Sequence, residues 1–235
     1  MNSSELKGFL TGLILGDGMI DNGINKRGFE IASINKDFID MIDYEISSCS
    51  GFKSNIKYTP EHYSCGCNHK ECWRYRIVAH PYFCKIYHHF YDDHRNRVVS
   101  KWALNWLNDR GLANWYMSDG YVCLVGKSKG MIRDRRIDFC TDRYCLTDIY
   151  KIQKCFKEKF GIETSVIKRD RFYRLRVNKS SYETFIMTIY PYLVPSMLYK
   201  IYLGYEKQPI WMSDELWVIQ EDLNSANPLY FNNVG

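Results

Sequence analysis

One ten-residue pattern occurs twice in this chain, and that repetition limits its fold more than its composition does. Residues 9–18 read Phe9-Leu-Thr-Gly-Leu-Ile-Leu-Gly-Asp17-Gly18. Residues 111–120 read Gly111-Leu-Ala-Asn-Trp-Tyr-Met-Ser-Asp119-Gly120, at an offset of 102. Each is an apolar helical run that closes on a small residue, an Asp and a Gly. The likeness continues downstream. Phe29–Ser33 matches Ile137–Thr141 as an alternating, strand-like run. Helical stretches follow at 37–50 and 145–160, each stopping at a glycine, Gly51 and Gly161, as a left-handed C-terminal cap requires. Strands then come at Lys53–Tyr58 and Thr164–Lys168, and again at Trp73–Val78 and Tyr173–Asn178. A last helix closes each half near 81–91 and 180–190.

Both halves therefore read helix, two strands, helix, two strands, helix. The offset drifts because of insertions near 125–134 and 60–71, both in loops, where added length costs little. The repeats divide the chain into a first unit at 1–95, a linker at 96–110, a second unit at 111–204 and a tail at 205–235. The expected class is α+β, with two αββαββα repeats related by a pseudo-twofold axis. Such symmetry brings equivalent residues near the axis together.

The motif helices carry an unusual residue choice. Gly8, Gly12 and Gly16 recur every four residues and so line one helix face. Each costs roughly 1 kcal/mol relative to Ala inside a helix, so the face needs a compensating gain. Close packing of the two motif helices supplies it, and predicts Gly12 beside Asn114. Each helix then ends in a carboxylate, where the helix dipole is already negative. Two such carboxylates brought together suit a divalent cation. A cation held there can activate water and stabilise the leaving oxygen of a phosphodiester.

Charge points to a polyanionic partner. The net charge is +5, but residues 206–235 carry −4, which leaves +9 on residues 1–205. Strand alternation sets Arg74 and Arg76 on one face of their strand, with Trp73, Tyr75 and Ile77 on the other. Arg174 and Arg176 stand in the same relation to Tyr173, Leu175 and Val177. The apolar face should meet helices and the basic face nucleic acid.

The two motifs resemble the paired motifs of LAGLIDADG homing endonucleases, in the single-chain, intron-encoded subclass. The resemblance spans residues 5–204. The second motif is similar to the family's Trp-Phe-Met-x-Asp-Gly form. It implies saddle-shaped antiparallel sheets over the DNA major groove and a central two-helix interface. It further implies a monomer that cuts both strands of a long, asymmetric duplex site, leaving short 3′ overhangs. Asp17 and Asp119 would hold Mg²⁺, with Mn²⁺ as a substitute, helped by the backbone carbonyls of Gly16 and Ser118.

The family also tends to set a basic residue near each scissile phosphate. Pro195-Ser-Met-Leu-Tyr-Lys200 resembles the segment that carries it, and Lys200 lies 81 residues after Asp119. In the first half Arg97 lies 80 after Asp17 and Lys101 lies 84 after, so the spacing favours Arg97. An Arg there departs from the family pattern, since it stabilises charge but does not serve as a base. Beyond the two Arg pairs, the DNA-binding surface is expected to include Lys26, Arg27, Lys53, Lys57, Lys127, Lys129, Arg133, Arg135, Arg136, Lys168, Arg169 and Arg171.

Cys65, Cys67, His69 and Cys72 lie within eight residues, in the longer loop of the first half. They could hold a structural Zn²⁺, but the spacing is tighter than finger patterns, and a free-thiol loop is the preferred reading. Nine cysteines without a recognisable leader indicate reduced thiols, in a cytosol-like compartment or an organelle such as the mitochondrion, and not a secreted protein. No run approaches the ~18 apolar residues of a membrane span. Two rival readings keep the scaffold without the cutting: an RNA maturase-like protein acting on intron RNA, and a catalytically inactive DNA-binding protein.

Overall fold

The computed structural model describes residues 2–21, 23, 27–49, 51–64, 67–128, 131–205 and 207–226. Side chains are described for all of these except 63–64, 67–69, 125–128, 131–134 and 226. The chain forms two compact units. One is Met1–Asp119 with Val194–Ser196; the other is Gly120–Leu193 with Met197–Gly235.

The first unit opens with α1 (Ser3–Leu15), followed by β1 (Met19–Ile20), β2 (Phe29–Ser33), α2 (Lys36–Ser47) and β3 (Ser54–Thr59). A small hairpin, β4 (His62–Ser64) and β5 (Cys67–His69), precedes β6 (Cys72–Ile77). Helices α3 (Pro81–Ile86), α4 (Lys101–Trp106) and α5 (Asp109–Asp119) complete it. The second unit holds β7 (Gly120–Ser128), β8 (Met131–Phe139), α6 (Leu146–Phe160), β9 (Thr164–Arg169), β10 (Phe172–Val177) and α7 (Tyr182–Ile189). A 3₁₀ segment at Pro195–Ile201 leads towards α8 (Asp214–Ala226).

Each unit contains one four-stranded antiparallel sheet, ordered β1-β2-β6-β3 in the first and β7-β8-β10-β9 in the second. The strand that is fourth in sequence lies third in space both times, so the repetition read from the sequence is a repetition of topology. The hairpin β4–β5 fills the longer loop of the first half.

Local chemistry sets the elements. Asn2 caps α1 by accepting from the amides of Ser4 and Glu5, both at 2.9 Å, while the Glu5 carboxylate accepts from the Asn2 amide at 2.8 Å. That reciprocal box satisfies three donors that the first turn would leave open. Helix α2 buries Phe38, Ile39, Ile42 and Ile46 on one stripe, and α6 buries Ile149, Ile152 and Phe156. Both stripes pack on the apolar faces of the sheets. Tyr75 and Ile77 are buried in the first, Leu175 and Val177 in the second.

Gly161 ends α6 in the left-handed conformation, φ 68°, as its position after the last apolar residue requires. The first half differs. Helix α2 ends at Ser47, with Ser48 and Cys49 in a turn, and Gly51, at φ 101°, lies beyond it in the loop. Ser48 and Cys49 bond back to the helix through their side chains, which stops it early.

Candidate active site

Helices α1 and α5 lie together in the first unit with little but backbone between them. A methyl group placed on Gly12 would lie 1.8 Å from the carbonyl oxygen of Gly111, and one on Gly111 would lie 2.2 Å from the carbonyl oxygen of Gly8. Gly16 faces Ser118, with its imagined methyl 2.7 Å from the Ser118 Cβ. The glycine stripe is thus the contact surface, and close approach is what offsets its helix penalty. The helices face each other as expected, and the backbone nearest Gly12 is that of Gly111. Asn114, one turn on, is buried and donates to the Phe9 carbonyl at 3.3 Å. Spacing reveals which face of a helix packs, but not the register against its partner.

Asp119 is the last residue of α5, and Asp17 lies two residues beyond the end of α1. Both are half-buried. The residues just before them, Gly16 and Ser118, touch, so the two aspartates leave the helix pair at its common end. Among the described residues no group of three or more His, Cys, Asp and Glu side chains gathers as a metal centre.

Each motif turn is held by a distant basic side chain. The Arg97 guanidinium donates to three carbonyls at the end of α1: Ile14, Gly16 at 3.2 Å and Gly18 at 2.6 Å. In the second unit Lys200 donates to the Gly120 carbonyl at 2.9 Å. Gly18 follows Asp17 and Gly120 follows Asp119, so Arg97 and Lys200 make the same contact in the two repeats. Both cations satisfy carbonyls that the helix leaves open, and both offset the unfavourable meeting of carboxylate and helix dipole. Lys101 opens α4 as an exposed residue.

The outer faces of the two sheets differ. In the first, Arg74 and Arg76 remain 48% and 56% exposed. Their ion pairs are loose, 3.1 Å to Glu30 and 3.9 Å to Asp21. In the second, Arg174 grips both oxygens of Asp142 at 2.8 and 2.6 Å, and Arg176 both oxygens of Asp138 at 2.7 and 2.9 Å. Tyr121 joins the two pairs, donating to Asp138 at 3.1 Å and accepting from Arg174 at 3.3 Å. The carboxylates push both guanidiniums up from their already basic range, and burial pushes the Tyr121 hydroxyl up.

Other residues of the expected surface divide in the same way. Lys53, Lys57, Lys168, Arg169 and Arg171 are exposed. Arg27 lies 3.4 Å over the Tyr87 ring and donates to the Asp21 carbonyl. Arg135 donates to the carbonyls of Leu203 and Gly204 at 2.6 and 2.9 Å, and Arg136 is half-buried. Lys26 and Lys129 lie outside the described residues, as do the side chains of Lys127 and Arg133. The proposed zinc ligands fall there too: Cys65, and the side chains of Cys67 and His69, leaving only Cys72 described.

The sequence reading missed Asp138, Asp142 and Tyr121, which immobilise the second arginine pair. Strand alternation places Tyr121 and Asp138 opposite each other across β7 and β8, but only the paired register reveals it.

Comparison with known proteins fits this architecture. A solved structure of the homing endonuclease I-WcaI bound to its DNA recognition sequence superposes with a TM-score of 0.71, at 21% identity, over 86% of this chain and 88% of that one. Among curated relatives, the "Probable intron-encoded endonuclease 1" of Wickerhamomyces canadensis is 23% identical over 129 residues, 55% of this chain. The match spans about half of that protein, 54%. The "Intron-encoded endonuclease ai4" of Dictyostelium discoideum is 25% identical over 167 residues, 67% of this chain and 97% of that protein. The model of the LAGLIDADG DNA endonuclease family matches residues 7–185, from the first motif helix into α7. With two motif helices packed on glycine and two sheets of one topology, the chain belongs to the LAGLIDADG DNA endonuclease family.

Proposed function

We propose that this protein is a site-specific endonuclease that cuts both strands of a long, asymmetric duplex DNA target as a monomer. The observation that carries the reading is the contact between Gly16 and Ser118, which gathers Asp17 and Asp119 at one end of the α1–α5 pair. Two carboxylates that leave one helix pair at its shared end would suit a divalent cation, Mg²⁺ or Mn²⁺, with the Gly16 and Ser118 carbonyls as further ligands. The Gly16 carbonyl accepts from Arg97, and a carbonyl oxygen has two lone pairs. Such a cation, when bound, supplies water activation and charge neutralisation at the phosphodiester.

The chain's own residues do the rest. Arg97 and Lys200 bring positive charge to the turn after each aspartate, where each would serve one scissile phosphate. The exposed Arg74 and Arg76, with Lys57 beside Arg74 on β3, present a face able to donate to guanine edges and phosphates. Cleavage at opposite phosphates across the minor groove would leave short 3′ overhangs. Incubating the protein and Mg²⁺ with a random duplex library and sequencing the cut ends tests the proposal. Recovery of one long, asymmetric consensus is expected. Specific binding without cutting would favour an inactive DNA-binding protein, and selective binding of structured RNA would favour a maturase-like one.

A further inference from the structure

Helix α8 lies beyond residue 185, where the family match ends, yet it is built into the backbone that carries Lys200. Leu216 and Ile219 on the helix, and Met212 just before it, are buried, and the helix packs against α7. On the same stripe stands Gln220, a polar residue with 0% exposure. A buried amide costs free energy unless both of its ends are paired. Here the Gln220 Oε1 accepts from the Leu203 amide at 2.8 Å, and its Nε2 donates to the Ile201 carbonyl at 3.1 Å. An amide donor and a carbonyl acceptor on the partner backbone leave only one orientation of the side chain that satisfies all four groups.

That clamp grips the two residues either side of Tyr202, directly after Lys200. Its neighbours brace the same segment. The Tyr202 hydroxyl donates to Asn224 on α8 at the next helical turn. Arg135 donates to the carbonyls of Leu203 and Gly204 and stacks 3.6 Å from the Tyr205 ring. Lys200 itself spans from this segment to the Gly120 carbonyl. Its ammonium is on a flexible stem, so its position is only as fixed as the backbone beneath it. In the first repeat the backbone of Arg97 is fastened differently, by a bridge to Tyr91 and by the Val98 amide donating to the Phe90 carbonyl, and the side chain by its own three-carbonyl grip.

We propose that Gln220 is a positioning residue for Lys200, and that α8 is an integral part of the second cutting centre. The inference rests on the endonuclease reading above. It predicts an asymmetric defect, because Lys200 serves one strand and Arg97 the other. Gln220→Met keeps the length and volume of the side chain but removes both hydrogen bonds.

The test is strand-resolved cleavage of a supercoiled target by wild type, Lys200→Met and Gln220→Met, with each strand end-labelled after linearisation. Gln220→Met should slow one strand roughly 10- to 100-fold, the penalty of a misplaced group, and nicked circles should accumulate. The slowed strand should be the one that Lys200→Met slows. A purely structural role would lower the active fraction and slow both strands alike, which would overturn the inference. So would full retention of both rates. If Gln220→Met does not fold, Tyr202→Phe, which removes the hydroxyl that donates to Asn224, should give a milder defect on the same strand, with equal strand rates again counting against the proposal. A wild type that cuts neither strand of any target would instead defeat the endonuclease reading, and the inference with it.

Discussion

Gly12 and Gly111 meet backbone to backbone, so that a single methyl on Gly12 would stand 1.8 Å from the Gly111 carbonyl oxygen. No side chain can move aside to relieve that clash, because the obstacle is a helix. Gly12→Ala should therefore destabilise the protein by about 3 kcal/mol or more, at the upper end of overpacking penalties. Gly51→Ala is the control. Gly51 has a left-handed φ of 101° but nothing within reach of an added methyl, so it should cost only about 1 kcal/mol. Urea denaturation of both variants checks the order, and equal losses would show that conformation rather than contact governs the glycine stripe.

The two arginine pairs should behave differently although the sequence presents them as equivalents. Arg74 and Arg76 are exposed and loosely paired, so replacing them with Ala should change stability by less than about 1 kcal/mol and relax base preference on one side of the target. Arg176 pairs with an Asp138 that has no exposure. Arg176→Ala strands that carboxylate and should cost about 3–5 kcal/mol of stability. Denaturation curves together with sequencing of bound sites separate the two effects. Similar stability losses at Arg74 and Arg176 would contradict the assignment.

Alkaline pH should weaken the fold through Tyr82. Burial pushes its hydroxyl up from the usual 10.0 to about 12. The unfolded chain therefore releases this proton before the folded chain does, and stability falls as pH rises from about 10 to about 12. Below that window the contribution is intact. Tyr82→Phe removes the titrating group, so its stability should decline less steeply across the same range. Identical alkaline profiles for the two proteins would exclude Tyr82 as a cause.

The repeat was legible in the sequence because its signals are local. Apolar alternation marks β6 and β10, and the apolar position before Gly161 marks the end of α6. The place of Arg97 at the motif turn was legible as well, since its distance from Asp17 nearly matches that of Lys200 from Asp119. What stayed hidden depends on register and long-range pairing. Asp142 and Asp138 lie 32 and 38 residues from the arginines they hold, and no local pattern links them. That the Gly111 backbone lies nearest Gly12 depends on the register of two helices, which a stripe of small residues does not specify. Gln220 sits in a polar, acidic tail whose buried stripe is only three or four residues long, too short to stand out by periodicity.

Cleavage by the two aspartate variants tests the central claim most directly. Asn keeps the shape of Asp but lacks its charge, so Asp17→Asn and Asp119→Asn should each bind the target nearly as wild type does. Losing a metal ligand removes several kcal/mol of transition-state stabilisation, so double-strand cleavage in Mg²⁺ should fall by about 10³-fold or more in either variant. Cleavage of the same duplex at the wild-type rate by either variant would contradict the assignment of this pair as the catalytic acids.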